Sequence, residues 1–140
     1  MLFRSIVADV EQVRHTLARA ALKSFRIHNG VEIISMADVP AGTGLGSSSC
    51  YLVGLLNGLH TLCRRPVARH ELAEEACHIE LDLLRKPIGK QDQYMAAFGG
   101  MTVLEIDRDG RVDVTDAGLP PDVTEEMENK IGRASCRERV

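Results

Sequence analysis

The glycine-rich segment Pro40–Ser49, PAGTGLGSSS, restricts the folds open to this chain. Its alternating glycines, Gly42, Gly44 and Gly46, keep side chains away from the backbone and allow positive φ angles. The segment runs directly into an apolar helical pattern that begins at Ser47. The first turn of a helix carries unpaired N–H groups and the positive end of the helix dipole. The segment therefore predicts an anion-binding loop, and phosphate is the ligand that suits such a loop best.

Three serines, Ser47, Ser48 and Ser49, add hydroxyl groups to the predicted loop. Such hydroxyls cap helix N-termini and reach phosphate oxygens or a magnesium ion. Two common phosphate loops do not fit, because the Walker loop needs a lysine after its last glycine and the dinucleotide loop needs GxGxxG, where this chain has GxGxG. A glycine-rich turn that binds no ligand remains the alternative. The glycines and serines together favour a phosphate loop of another kind.

Hydrophobic periodicity predicts helices over residues 7–23, 47–63 and 67–84, and one or two further helical turns within 88–100. A first hairpin is expected to join residues 24–28 to 31–36 through Asn29-Gly30, the dipeptide that most favours a tight turn. A second hairpin is expected between Met101–Ile106 and Gly110–Val114. Hairpins packed with helices, without regular alternation of strand and helix, indicate the α+β class. The predicted inward faces of the second and third helices consist of Leu52, Leu55, Leu56, Leu59 and Leu62, and of Leu72, Ala76, Ile79 and Leu83.

Composition excludes several classes of function. The 140 residues carry 17 basic and 20 acidic side chains, a net charge of -3, and no basic cluster that would suit nucleic acid. No apolar run reaches the roughly eighteen residues of a membrane helix, and the N-terminus does not resemble a secretory signal. The four cysteines form no CxxC pair. We therefore expect a soluble cytoplasmic protein with reduced thiols and without a nucleic-acid or membrane partner.

The last ten residues, IGRASCRERV (131–140), differ from the rest of the chain. They bring three arginines and a cysteine without any hydrophobic period, and they match one reading frame of a common sequencing adapter. We expect a non-native tail derived from adapter or vector, with a genuine basic tail as the alternative. Residues 1–130 would then be a piece of a longer chain.

Two carboxylates are candidates for chemistry. Phosphoryl transfer to an alcohol requires positioned phosphates, magnesium, and a carboxylate or cation near the accepting hydroxyl. Asp92 lies among polar residues that are followed by the apolar stretch MAAF, and Glu80 interrupts the apolar side of its helix. Pro87 lies between them and can turn the chain so that both face one site. From the residues alone, surface or capping roles stay open for both, while Lys86 and Lys90 are expected to be solvated or to contact an anionic substrate.

The segment Pro40–Ser48 resembles the second motif of the GHMP kinases, usually written PxGxGLGSS. The stretch EACHIELDLLRKPIGKQDQYMAAFGGM resembles a sugar-kinase branch of that family, and the similarity runs from about Ala8 to Val114. This resemblance implies a partial N-terminal, ATP-binding domain over residues 1–130, with the fold of ribosomal protein S5 domain 2. It also implies a cytoplasmic enzyme that uses ATP and Mg2+ to phosphorylate a sugar hydroxyl.

The resemblance assigns roles position by position. Ser48 and Glu80 resemble the family's magnesium ligands, and Asp92 resembles the catalytic aspartate that orients or deprotonates the accepting hydroxyl. The narrower resemblance implies that the anomeric hydroxyl of D-glycero-D-manno-heptose 7-phosphate is the acceptor and that the 1,7-bisphosphate is the product. Fucose or another sugar is the alternative acceptor. The residues implied in the ATP-binding loop are Pro40, Gly42, Gly44, Leu45, Gly46, Ser47 and Ser48.

The chain also departs from the family pattern. The family's first motif, with its lysine or arginine, is missing from residues 1–7, and its third, glycine-rich motif is absent. Ser49 and Cys50 stand where relatives often have alanine. The piece alone is therefore expected to be inactive, and the chemistry is expected of the parent. A nucleotide-binding module without catalysis and a structural domain with a glycine turn remain as alternatives from other classes.

Overall fold

A computed structural model describes residues 7–36 and 44–130 of the chain. These residues belong to two compact units, divided in the sequence between Gly99 and Gly100. The first unit contains the helices α1 (Thr16–Ser24), α2 (Ser47–Leu62), α3 (Arg69–Cys77) and α4 (Gln91–Phe98). The second contains the antiparallel strands β1 (Thr102–Ile106) and β2 (Val112–Asp116), followed by α5 (Pro121–Lys130). The predicted α+β class is confirmed, and the predicted tail at 131–140 lies outside the described residues.

The core of the first unit is built from α1, α2, α3 and a π-helical segment, His78–Leu83, that continues α3. The predicted inward faces are confirmed except at their ends, because Leu62 and Leu83 are 60% and 54% exposed. Leu62 is the last residue of α2, where the chain turns away. A π-helix pairs residues five apart, so the 3.6-residue period no longer projects Leu83 onto the buried face. The fully buried apolar residues include Ala21, Leu52, Leu56, Ala76 and Ile79.

The first helix is shorter than the predicted 7–23. A 3-10 turn, Val10–Gln12, precedes it, and α1 itself begins after His15, whose ring nitrogen accepts a hydrogen bond from the N–H of Ala18 (3.3 Å). At the other end Arg26 takes a left-handed φ of +56°. The N–H of Ile27 then bonds to the carbonyl of Leu22 (2.9 Å), which closes the helix.

The predicted hairpin over 24–36 is wrong. Residues 27–36 form no strand, and α1 extends to Ser24, after which the left-handed Arg26 redirects the chain. A tight Asn-Gly turn requires positive φ at both of its residues. Gly30 has a φ of +78°, but Asn29 does not lie in the positive region. The dipeptide therefore makes a bend, and of the predicted strands Phe25, Ile27 and Ile33 pack against the core.

The second hairpin is confirmed, with β2 displaced by two residues from its predicted start. Its register pairs Thr102 with Asp116 and Ile106 with Val112. The carboxylate of Asp107 closes the turn by accepting the N–H groups of Asp109 and Arg111, both at 2.9 Å. The α5 helix that follows buries none of its residues. In the described ranges, no helix is long and apolar enough to cross a bilayer.

Candidate functional site

The second half of the glycine loop leads directly into α2. Gly44 and Gly46 have φ angles of +69° and +66°, a left-handed conformation that favours glycine. Gly46 caps the 16-residue helix, and its carbonyl accepts the N–H of Cys50 (3.0 Å). Ser47 and Ser48 are exposed in the first turn, where the backbone N–H groups of a helix have no partner within the helix. This arrangement suits an anion, and the predicted loop residues Pro40 and Gly42 lie outside the described part of the chain.

Glu80 lies below this helix start and is completely buried. Its oxygen Oε1 accepts hydrogen bonds from Ser48 Oγ (3.1 Å) and Lys86 Nζ (2.7 Å). Its oxygen Oε2 accepts from Ser49 Oγ (2.7 Å) and Gln93 Nε2 (2.6 Å). One carboxylate thus connects the start of α2, the chain after the π-helical segment, and α4.

Burial and hydrogen bonding act on the pKa of Glu80 in opposite directions. Burial of the carboxylate raises the pKa, since a charge is less stable away from water. Hydrogen bonds from Lys86, Ser49 and Gln93, together with the charge of Lys86, outweigh burial and hold the pKa below its ordinary value. Glu80 is therefore a carboxylate at neutral pH, and its negative charge lies next to the start of α2.

The π-helical segment determines where Glu80 and Lys86 lie. The N–H of Leu84 bonds to the carbonyl of Ile79 (3.0 Å), five residues back. Arg85 follows with a left-handed φ of +50°, and the N–H of Lys86 bonds to the carbonyl of Glu80 (2.9 Å). This tight reversal brings the side chain of Lys86 back over the carboxylate six residues earlier. The expectation that Lys86 is solvated or contacts only a substrate is therefore corrected.

Asp92 is exposed in the first turn of α4 and lies directly against Gly46. A Cβ atom added to Gly46 would stand 3.2 Å from Asp92 Cγ and 3.3 Å from its Oδ2. The structure thus brings Asp92 to the end of the glycine-rich loop. Four predicted site residues, Gly46, Ser48, Glu80 and Asp92, form one connected set.

A second polar cluster fixes α4 onto α3 beside this set. The buried Tyr94 donates its hydroxyl to Glu74, and Lys90 donates to both oxygens of that carboxylate (2.9 and 3.1 Å). Lys90 is thus engaged with a protein carboxylate, which corrects its expected solvation. Burial first, and then the bond to Glu74, raises the pKa of Tyr94. The hydroxyl of Tyr94 therefore stays neutral and donates to Glu74. This bond fixes Tyr94, and with it the neighbouring Gln93, on α4.

The sequence predicted Ser49 only as a hydroxyl of the loop and gave no sign of Gln93, and it missed that both bond to Glu80. Both are buried polar residues on otherwise apolar faces, Ser49 three and four residues before Leu52 and Val53, and Gln93 three residues before Ala96. A polar residue on a buried stripe is a signal, because such a group needs a partner. Gln93 Oε1 is buried and has no hydrogen-bond partner among the described residues.

The oxygen atoms of this set determine whether it can hold a magnesium ion. In the described ranges, no three His, Cys, Asp or Glu side chains cluster closely enough to hold a metal ion by themselves. Magnesium, however, commonly uses only one or two protein oxygens and completes its shell with water and substrate phosphates. The Ser48 hydroxyl and the Glu80 carboxylate, 3.1 Å apart, are such oxygens. The residues therefore fit a magnesium ion shared with a phosphate ligand.

The chain belongs to the GHMP kinase family, since residues 10–100 match the GHMP kinases N terminal domain. This match includes the loop, Glu80 and Asp92. The predicted family and its domain type are thereby confirmed.

The chain is similar to three proteins that are named as sugar or sugar-phosphate kinases. It is 34% identical over 105 residues to a D-glycero-alpha-D-manno-heptose 7-phosphate kinase of Campylobacter jejuni, which covers 75% of this chain and 29% of that protein. It is 32% identical over 76 residues to an L-fucokinase/L-fucose-1-P guanylyltransferase of Bacteroides fragilis, covering 54% and 8%. A crystal structure of a D-glycero-D-manno-heptose 1-phosphate kinase from Bacteroides thetaiotaomicron matches with a TM-score of 0.71 and 29% identity, covering 81% and 39%. The chain thus spans less than two fifths of the length of each of these relatives.

Proposed function

We propose that this chain forms the phosphate-loop part of a kinase that transfers a phosphoryl group from ATP to a sugar hydroxyl. The observation that carries the proposal is the connected set itself. Gly46 at the end of the loop contacts Asp92, while Ser48 in the next turn bonds to the buried Glu80. A phosphate loop, a cation-binding carboxylate and a carboxylate for the acceptor are the parts that phosphoryl transfer needs.

The loop and the start of α2 bind the phosphates in this proposal. Backbone N–H groups of the loop and the first helical turn donate to phosphate oxygens, as the left-handed Gly44 and Gly46 allow close approach. Ser47 adds an exposed hydroxyl to this surface. These donors hold the charge of the transferring group, which accounts for much of catalysis in phosphoryl transfer.

Ser48 and Glu80 would hold the magnesium ion. When bound, the ion neutralises charge that accumulates on the phosphate oxygens. Ser49 and Gln93 hold the other oxygen of Glu80 at 2.7 and 2.6 Å, so they orient the carboxylate toward Ser48. ATP as phosphoryl donor is consistent with a cytoplasmic reaction.

Asp92 would accept the proton of the sugar hydroxyl or orient that hydroxyl for attack. It is exposed, so a substrate can reach it, and its contact with Gly46 supports a position next to the phosphates that the loop would bind. We propose the anomeric hydroxyl of D-glycero-D-manno-heptose 7-phosphate as acceptor, giving the 1,7-bisphosphate. The similarity to two heptose phosphate kinases supports this choice. The similarity to an L-fucokinase supports fucose as the second candidate.

The test measures MgATP-dependent release of ADP by the protein expressed from the intact gene, with D-glycero-D-manno-heptose 7-phosphate, fucose, galactose and mevalonate as acceptors. We expect turnover on the heptose phosphate. Asp92→Asn should lower kcat by roughly 10²–10⁴-fold, the contribution typical of general acid–base catalysis, with ATP affinity retained.

Turnover on another acceptor would replace the heptose and leave the kinase proposal standing. ATP binding without turnover on any acceptor would support a nucleotide-binding module instead. Full activity of the Asp92→Asn variant would remove Asp92 from the mechanism.

A further inference from the structure

We propose that Lys86 is an exchangeable counter-ion of Glu80. Its ammonium group neutralises the buried carboxylate while no metal is bound, and it leaves the carboxylate when a divalent cation arrives. This inference rests on the proposed function, because it concerns the same metal-binding carboxylate. It adds a residue that controls the access of the metal to its ligand.

Glu80 needs a positive partner because it is ionised and 0% exposed. An unpaired charge in a protein interior is strongly destabilising. Four side chains donate hydrogen bonds to Glu80, and three of them, Ser48, Ser49 and Gln93, are neutral. Lys86, at 2.7 Å from Oε1, is the cation among these donors.

Lys86 and a metal ion compete for the same oxygen atom. Ser48 and Lys86 both bond to Oε1 of Glu80, so an ion held jointly by Ser48 and Glu80 would take the place of the ammonium. The other oxygen, Oε2, is held by the buried Ser49 and Gln93. The ammonium group and the metal ion are both positive, so they would also repel each other if both were bound to Oε1. Metal binding therefore requires that Lys86 leave Oε1.

Lys86 is better able to leave the carboxylate than the two donors that hold Oε2. Its side chain is 29% exposed, whereas Ser49 and Gln93 are buried. Lysine carries its charge on a flexible four-carbon stem, so the ammonium can move into water without moving the backbone. The backbone of Lys86 is held by the carbonyl of Glu80 at 2.9 Å, so the side chain returns when the metal dissociates.

The experiment titrates Mn2+ into the protein in the absence of nucleotide and sugar, and measures free Mn2+ by electron paramagnetic resonance. We expect Lys86→Met to bind Mn2+ about tenfold more tightly than the unmodified protein, since a charge-assisted hydrogen bond no longer has to be broken. The matched control is Lys23→Met. Lys23 forms an ion pair of the same 2.7 Å length with Glu11, but both side chains are more than half exposed. It should leave Mn2+ affinity unchanged.

Thermal unfolding gives a second readout. Lys86→Met should unfold at a lower temperature than the unmodified protein without metal, and Mn2+ should restore most of that loss. The double variant Glu80→Gln with Lys86→Met removes both charges, so it should stay folded and show no Mn2+ effect. Equal or weaker Mn2+ binding by Lys86→Met, or a Mn2+ effect that persists in the double variant, would overturn the inference.

The outcome is separable from that of the sugar kinase assay, which uses Asp92→Asn and measures ADP. Turnover on a sugar together with equal Mn2+ affinity of Lys86→Met and the unmodified protein would refute the exchange alone. Tighter Mn2+ binding by Lys86→Met without turnover on any sugar would refute the acceptor proposal alone.

Discussion

Gly46 has a φ of +66° at the start of α2, and Asp92 packs against the side where a Cβ atom would stand. Gly46→Ala therefore combines two effects: a strained backbone and a contact of 3.2 Å with Asp92 Cγ. We expect a loss of about 1–2 kcal/mol in the free energy of unfolding from the left-handed conformation. We also expect a lower kcat, because Asp92 must shift. Urea unfolding and ADP release measure the two effects separately.

Gly30→Ala is the matched control for this substitution. Gly30 has a similar φ of +78°, but a Cβ atom there meets nothing within 4 Å. It should lose a comparable amount of stability and keep the kcat of the unmodified protein. If both variants keep full kcat, the close approach of Gly46 and Asp92 has no role in turnover.

At the scale of elements, α1 and α2 end in the same way, with an arginine in the left-handed conformation. At the end of α2, Arg64 has a φ of +55°. The N–H of Arg65 bonds to the carbonyl of His60 (2.9 Å), five residues earlier, which is the hydrogen bond of a Schellman motif. Glycine is the residue usually found there. Arg64→Gly should therefore raise the free energy of unfolding by about 1 kcal/mol.

The neighbouring substitution Arg65→Gly provides the control. Arg65 is exposed like Arg64 and carries the same charge, but it lacks a positive φ. Glycine there adds freedom to the unfolded chain and relieves no strain, so stability should stay the same or fall. Chemical denaturation measures the free energy of unfolding of both variants. If Arg64→Gly is no more stable than Arg65→Gly, the end of α2 carries no strain.

Elements were predictable where local pattern and tertiary structure agree. The periodicity from Ser47 onward predicts α2, and Asp107–Gly110 predicts the turn between β1 and β2. The hairpin predicted at Asn29-Gly30 does not form. Residue preferences gave no sign of the left-handed conformation of Arg26, which redirects the chain before that dipeptide. The π-helical segment was not predictable either, because the 3.6-residue period gives no sign of a wider turn.

The candidate site was also predictable only in those parts that a local pattern defines. The loop and its helix follow from glycine spacing, and the roles implied for Glu80 and Asp92 came from family resemblance. The contacts from Ser49 and Gln93 to Glu80 join residues 31 and 13 positions apart. No local pattern indicates such a pairing, so the bonds of these two residues to Glu80 could be found only in the folded chain.

For the molecule as a whole, the buried Glu80 makes stability depend on pH. Its pKa is held below the ordinary value of 4.5 despite burial, by the hydrogen bonds from Lys86, Ser49 and Gln93. A carboxyl whose pKa is lower in the folded than in the unfolded chain stabilises the fold above its unfolded pKa. That contribution is lost as the pH falls below about 4.5 and through the folded-state pKa. The carboxyl of Glu74, also with a lowered pKa, acts in the same direction.

Glu80→Gln isolates the share of Glu80 in this dependence. Glutamine keeps the shape of the side chain but removes the charge, and Lys86 is exposed enough to regain water. We expect the variant to be less stable by about 1.5–3 kcal/mol at pH 7, the range for hydrogen bonds to a charged group. The difference from the unmodified protein should narrow as the pH is lowered below 4.5, because both chains are then neutral at this position. Urea unfolding at a series of pH values measures this difference, and a gap that stays constant down to acid pH would mean that the charge of Glu80 does not stabilise the fold.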